Sequence, residues 1–183
     1  EKTLTIHDSG IGMNEEDLKS SLGTIARSGT KAFLEQISKN TKDKQTDMSM
    51  IGQFGVGFYA SFMVADSVEV LSRKAGDSEA WKWSSDGKNG FNLEKSEKEK
   101  SGTSILLRLK KDAKEFLDET RLQFVVRKYS DHISYPVKLN QIDKKEAEIK
   151  TLNEASALWT RPSKDIKDEQ YQEFFSHIGA GFG

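Results

Sequence analysis

The 183 residues carry 28 Lys and Arg against 29 Asp and Glu, a formal charge of −1, so no basic excess is present to attract nucleic acid or an anionic membrane. Hydrophobic residues make up 35%, enough for one good core or for one domain and part of another, and no run approaches the ~20 apolar residues of a membrane span. Cysteine is absent, which removes disulfides, zinc thiolates and cysteine nucleophiles but leaves the redox compartment open.

Residues 3–7 alternate, with Leu4 and Ile6 on one face, and predict a strand that the chain enters at once. With the glycine-rich stop at 179–183, this reads as an excerpt from a longer protein. The strand runs into Asp8-Ser9-Gly10-Ile11-Gly12-Met13. A carboxylate there can accept a hydrogen bond from an amine, while Gly10 and Gly12 let a flat group lie against the backbone. An ordinary Asp turn fits the same residues. Asn14, with Asp17 three positions on, predicts a capped helix whose buried stripe is Leu18 and Leu22.

Next, 23–30 is small, polar and bounded by glycines, and reads either as a mobile flap from which Arg27 could meet a phosphate or as a solvated loop. A helix over 31–38, with Phe33, Leu34 and Ile37 inward, and an exposed loop over 40–49 follow. Residues 51–64 begin Ile51-Gly52-Gln53-Phe54-Gly55-Val56-Gly57-Phe58-Tyr59 and continue as an apolar run that predicts a buried helix over 58–64. Glycines so spaced let the backbone turn tightly and present N–H groups to a close ligand, and a helix start behind them favours an anion. A plain loop packed on a helix also fits.

Segments 68–71, 80–83, 90–93 and 103–109 predict successive strands, with turns at 75–77 and 86–90 and a charged, solvated turn over 94–101. Short connections require antiparallel pairing. The predicted fold is therefore α/β (α+β), a two-layer sandwich in which a mostly antiparallel meander carries helices on one face. That disfavours a doubly wound dinucleotide-binding domain, and the glycine loop lacks the Gly-Lys-Ser/Thr ending of a Walker motif. Farther on, 116–129 predicts a helix with Leu122, Val125, Val126 and Tyr129 spaced for burial, and 135–139 a last strand. A polar linker over 141–151 separates residues 1–140 from 152–183, where Tyr171, Phe174, Phe175 and Ile178 form an apolar stripe. His7, His132 and His177 are too scattered for a metal site.

Four stretches in one order resemble the motifs of the heat-shock protein 90 chaperone family: Asp8 to Met13, Leu22 to Thr30, Ile51 to Tyr59, and Gly102-Thr103. Lys128-Tyr129-Ser130-Asp131-His132 and Leu158-Trp159-Thr160-Arg161 are similar to the end of that family's nucleotide domain and the start of its middle domain. The resemblance implies a Bergerat-type ATP pocket. By it, Asp8 accepts the adenine amino group, Thr103 supports the ring through its hydroxyl and water, and Gly12 and Met13 shape the adenine wall. Leu22 and Phe58 add apolar surface, and the backbone of Gly55, Val56, Gly57 and Phe58 holds the phosphates beneath a lid formed by 23–30. Ser21 stands where the family often has asparagine near the sugar, and Arg27 where its lid commonly has lysine.

The resemblance also implies an ATP-dependent chaperone that acts on unfolded or partly folded client proteins through lid closure and cycling of a homodimer. It implies Mg²⁺ whose ligand, like the family's catalytic glutamate, lies outside these residues. The short linker resembles bacterial cytoplasmic or mitochondrial matrix members, and neither nucleic acid nor membrane is implied as a partner. A MutL, topoisomerase or histidine kinase ATPase of the same superfamily, or a non-catalytic interaction module, stays as the alternative.

Overall fold

The computed structural model describes residues 2–23, 55–131, 133–142, 149–154, 166–168 and 171–172. Two compact units divide the chain, Glu1–Leu117 and Asp118–Gly183.

The first unit is built on five antiparallel strands: β1 (Thr3–His7), β2 (Ala65–Arg73), β3 (Ala80–Ser85), β4 (Asn92–Ser96) and β5 (Gly102–Leu109), in the order β1-β5-β2-β3-β4. Strands β2, β3 and β4 form the expected meander. β5 does not extend it beyond β4; it returns to the far side of β2 and also pairs with β1, placing Val70 and Ile6 each opposite Ile105. The reason is burial: Leu107 and Leu109 need neighbours on both sides, whereas β4, with Glu94 and Lys95, suits an edge. Lys82 pairs with Glu94 at 2.5 Å and Lys95 with Glu79 at 2.5 Å, so part of the stretch expected as a solvated turn is edge strand.

Helix α1 (Glu15–Leu22) lies on one face of this sheet. Asn14 accepts from the Asp17 N–H at 3.0 Å while Asp17 accepts from the Asn14 N–H at 3.2 Å, a reciprocal cap. Glu15, Glu16 and Asp17 in the first turn complement the helix dipole. Leu18 and Leu22 meet Val68, Val70, Trp83, Leu107 and Leu109 in the core.

The buried helix expected over 58–64 is replaced by a 3₁₀ turn, Gly57–Ala60, and a single α-turn, α2 (Ser61–Val64). No residue in either is fully buried, and Met63 is 77% exposed. β2 begins at Ala65, which leaves room for one turn only; Phe58, Phe62 and Val64 reach the core from its rim.

In the second unit, Asp118 caps α3 (Glu119–Ser130) by accepting from the Arg121 N–H at 2.9 Å. That cap explains why the helix starts later than the apolar spacing suggested. None of its residues is fully buried, and Tyr129, expected inward, is 70% exposed. β6 (Lys138–Leu139) pairs antiparallel with β7 (Lys150–Thr151), shorter than the strand expected over 135–139. The expected helix over 31–38, the loop over 40–49, the stretch 158–162 and the stripe residues Phe174, Phe175 and Ile178 lie outside the described residues.

Candidate functional site

The β1–β5 pairing continues past His7. The Asp8 N–H donates to the Thr103 carbonyl at 2.9 Å, and the Thr103 N–H returns a bond to Asp8 O at 3.3 Å and to its carboxylate Oδ1 at 3.1 Å. The same Oδ1 accepts from the Gly10 N–H at 2.9 Å. Two amides thus fix the carboxylate's orientation, while Asp8 stays exposed and its Oδ2 accepts no hydrogen bond among the described residues. Gly102 makes this approach possible: at φ +113° a Cβ would stand 2.3 Å from the Asp8 carbonyl oxygen.

Ser72, the inward residue next to Val70 on β2, links Thr103 to the loop after β1. Its hydroxyl is fully buried, accepts the Met13 N–H at 2.8 Å, and stands 3.0 Å from the Thr103 hydroxyl and 3.3 Å from the Gly102 carbonyl. Gly12, at φ +70°, brings the loop so close to β2 that a Cβ would fall 1.9 Å from the Arg73 carbonyl oxygen. The Ala75 N–H bonds the Ile11 carbonyl at 2.7 Å. Asp8, Gly12 and Met13, expected from one motif, and Thr103, expected from another, therefore form one connected group.

Leu22 is buried at the end of α1, and Met13 and Phe58 pack on the same core cluster. The Tyr59 hydroxyl donates to the Leu22 carbonyl at 3.0 Å, and burial pushes its pKa up. Ser21 is half-buried one residue before Leu22. Gly55, at φ +64°, leads through the exposed Val56 and Gly57 into the 3₁₀ turn. Phe58 stands edge-on to Trp83 with ring centres 5.5 Å apart. Residues 24–30 of the expected lid, Arg27 among them, and 51–54 of the glycine-rich stretch lie outside the described residues.

Lys74 and Asp17 join the strand after Ser72 to α1 at 2.7 Å. The hydrogen bond that Lys74 donates to Asp17 raises the Lys74 pKa, against a smaller lowering by burial. An open cleft of about 610 Å³ lies elsewhere, over Asn14, Glu16, Lys19, Asp77, Glu79 and Trp81. It holds none of the predicted site residues, and its charged, solvent-open walls offer no convergent set of donors. The Asp8–Thr103–Ser72 group instead joins an oriented carboxylate to two hydroxyls and is the candidate site.

Ser72 and Tyr59 are the two members that motif reading did not single out. Ser72 had one signal: it occupies the inward phase of Val68 and Val70, where a hydroxyl must find a partner.

The group combines an oriented acceptor, a nearby hydroxyl, an apolar rim and a glycine-led turn, which suits a flat amino-bearing ring with an anionic tail. Residues 1–115 match the family model described as histidine kinase-, DNA gyrase B-, and HSP90-like ATPase, and residues 138–181 match the Hsp90 protein model. The chain is 54% identical over 180 residues to the chaperone protein HtpG of Rhodospirillum rubrum, covering 98% of this chain and 28% of that protein. It is 52% identical over 181 residues to that of Roseobacter denitrificans (99% and 27%) and 51% identical over 183 residues to that of Gluconobacter oxydans (100% and 29%). It thus spans less than a third of the length of these relatives.

Proposed function

Because the chain belongs to the histidine kinase-, DNA gyrase B- and HSP90-like ATPases, on their heat-shock protein 90 branch, we propose that it forms the ATP-binding part of an ATP-dependent chaperone. The observation that carries this reading is the Asp8 carboxylate, held by the Thr103 and Gly10 amides with a second oxygen to spare. In the proposed site that oxygen accepts the adenine amino group, Thr103 supports the ring, and Gly12 and Met13 form its wall. Leu22 and Phe58 supply apolar contact, and Ser21 faces the sugar. The backbone of Gly55, Val56, Gly57 and Phe58 turns toward the phosphates, with Arg27 reaching them from the lid. The residues present fit such a ligand: at Gly57 a Cβ would meet nothing within 4 Å, so the turn offers open backbone to an anion. Bound ATP supplies a transferable phosphoryl group; these residues bind and orient it.

Mg²⁺ accompanies the triphosphate in this proposal, with its protein ligand outside these residues. Residues 1–140 constitute the nucleotide domain, 141–151 a linker and 152–183 the start of a middle domain. The whole protein works as a homodimer on unfolded or partly folded client proteins. It works in the cytoplasm in this proposal, a reading supported by its similarity to chaperone proteins of bacteria. No helix among the described residues is long and apolar enough to cross a membrane.

Calorimetric titration with ADP and ATP tests the site. Saturable binding near one nucleotide per chain is expected. Asp8→Asn keeps an acceptor for the two amides but offers an N–H to the adenine amine, and should weaken binding about tenfold or more, since hydrogen bonds to charged groups contribute about 1.5–3 kcal/mol. Absence of saturable heat, or a Asp8→Asn variant that titrates like wild type, overturns the reading.

A further inference from the structure

We propose that Asn89 is a site of spontaneous modification, at which the Gly90 nitrogen converts the side-chain amide to an acid, and that the Asp86 carboxylate holds this reaction back by keeping the amide turned away. The inference is independent of the nucleotide reading above.

Asn89 is the only asparagine of the chain that glycine follows, and it lies in the exposed connection between β3 and β4. Glycine leaves the attacking nitrogen unshielded: at Gly90 a Cβ would meet nothing within 4 Å. The Gly90 N–H finds no acceptor among the described residues. In the reaction this nitrogen gives up its proton to water and bonds to Cγ of Asn89. The side-chain nitrogen takes a proton from water and leaves as ammonia, closing a cyclic imide. Water then opens the imide at either carbonyl, which yields aspartate or, with the main chain rerouted through the side chain, isoaspartate. Water is the only co-reactant, and nothing is oxidised or reduced.

In the folded chain the amide is tied the other way. Asn89 Nδ2 donates to Asp86 Oδ2 at 2.7 Å, while the N–H groups of Lys88 and Asn89 donate to Asp86 Oδ1, each at 2.9 Å. The target carbon is thus drawn toward a residue before it, whereas its attacker belongs to the residue after it. Attack requires the clasp to open first. The same donors, the Asn89 N–H foremost, hold the Asp86 carboxyl below its ordinary 3.8, so the clasp is charged at neutral pH.

Conversion would reverse the clasp. An oxygen would replace the N–H that faces Asp86, setting two carboxylates within hydrogen-bond range of each other. The turn they share is packed at both ends. Gly87 lies so close to Phe62 that a Cβ would stand 2.8 Å from its ring, and Phe91 stacks on Trp83 with ring centres 5.9 Å apart. Modified chain should therefore loosen this connection from α2 and from the core.

The test is peptide mapping by mass spectrometry of intact chain aged in mildly alkaline buffer, for wild type and Asp86→Ser, each folded and in urea. In urea both should convert at Asn89 at one common rate, ahead of every other asparagine. Folded, wild type should convert about tenfold or more slowly than Asp86→Ser, the span of a hydrogen bond to a charged group. Equal folded rates would remove Asp86 from the account, and conversion elsewhere before Asn89 in urea would remove the site itself. Thermal melts give a second reading that does not depend on how well Asp86→Ser folds. Asn89→Asp, the product, should lower the melting temperature of wild type and leave that of Asp86→Ser unchanged, because the repelling partner is gone; equal shifts in both backgrounds would overturn the clasp.

Discussion

The phenol of Tyr59 donates a 3.0 Å hydrogen bond to the backbone carbonyl of Leu22. One bond thus holds the turn behind Gly55 and Gly57 to the C-terminus of α1, where a carbonyl would otherwise lack an intrahelical partner. The two strips proposed to line the sugar and the phosphates are fastened together by this one side chain.

Tyr59→Phe should therefore separate stability from phosphate affinity. The half-buried Leu22 carbonyl loses its donor at a cost of about 1 kcal/mol in urea unfolding. Affinity for ATP should fall several-fold while affinity for adenosine, which has no phosphates, changes little. Equal loss for both ligands would show that Tyr59 supports the whole pocket and not the phosphate turn.

Gly12→Ala should be far more severe. The added methyl would stand 1.9 Å from the Arg73 carbonyl oxygen, in a backbone at φ +70°, and the left-handed conformation alone costs about 1–2 kcal/mol. Relieving the contact requires the 11–13 loop to leave β2, which breaks the Met13-to-Ser72 bond. Loss of nucleotide binding together with a melting temperature lowered by at least several degrees is expected; a variant that melts and binds like wild type would refute the close-approach account.

These residues also mark where the sequence is informative. The Asn14–Asp17 cap was legible because both partners lie within one turn, and Asp8 stood out as a candidate because a carboxylate at a strand end beside two glycines is a local pattern. The position of β5 was not: its spacing shows a strand, but which strand it joins depends on where Leu107 and Leu109 find cover. Ser72 was hidden for the same reason, since its partners Met13 and Thr103 lie 59 and 31 residues away. The shortness of α2 follows from the entry into β2 at Ala65, which apolar content alone does not reveal.

Among the described residues of the second unit, Asn153 should be the most sensitive polar one. It is 7% exposed; its Oδ1 accepts the Val137 N–H at 2.8 Å, and its Nδ2 is shared among the carbonyls of Tyr135 at 3.0 Å and of Ser130 and Ile133 at 3.3 Å. It joins the end of α3 to the start of β6. Asn153→Ala leaves these groups unpaired and should cost about 2 kcal/mol or more, with faster hydrogen exchange at Val137. Asn153→Asp keeps the acceptor but loses the donors, so exchange at Val137 should stay slow while stability still falls. Unchanged exchange in Asn153→Ala would show that water takes over the bond.

The Lys74–Asp17 pair sets a pH dependence whose sign can be fixed in advance. Lys74 titrates above its ordinary 10.5, first because Asp17 accepts its hydrogen bond, and further through the negative charges of Asp17, Asp77 and Glu16, with burial acting against them. A group whose folded pKa is raised binds its proton more tightly in the folded chain, so its contribution is complete below 10.5 and disappears as pH rises through the higher folded value. Both side chains are about one-third exposed, at 33% and 37%, so screening limits the effect to about 0.5 kcal/mol. Urea midpoints recorded from pH 8 to strongly alkaline pH should decline less steeply in Lys74→Met than in wild type, with the two curves converging at the alkaline end. Midpoints that stay parallel across that range would mean the pair holds α1 to β2 by packing of the lysine stem and not by charge.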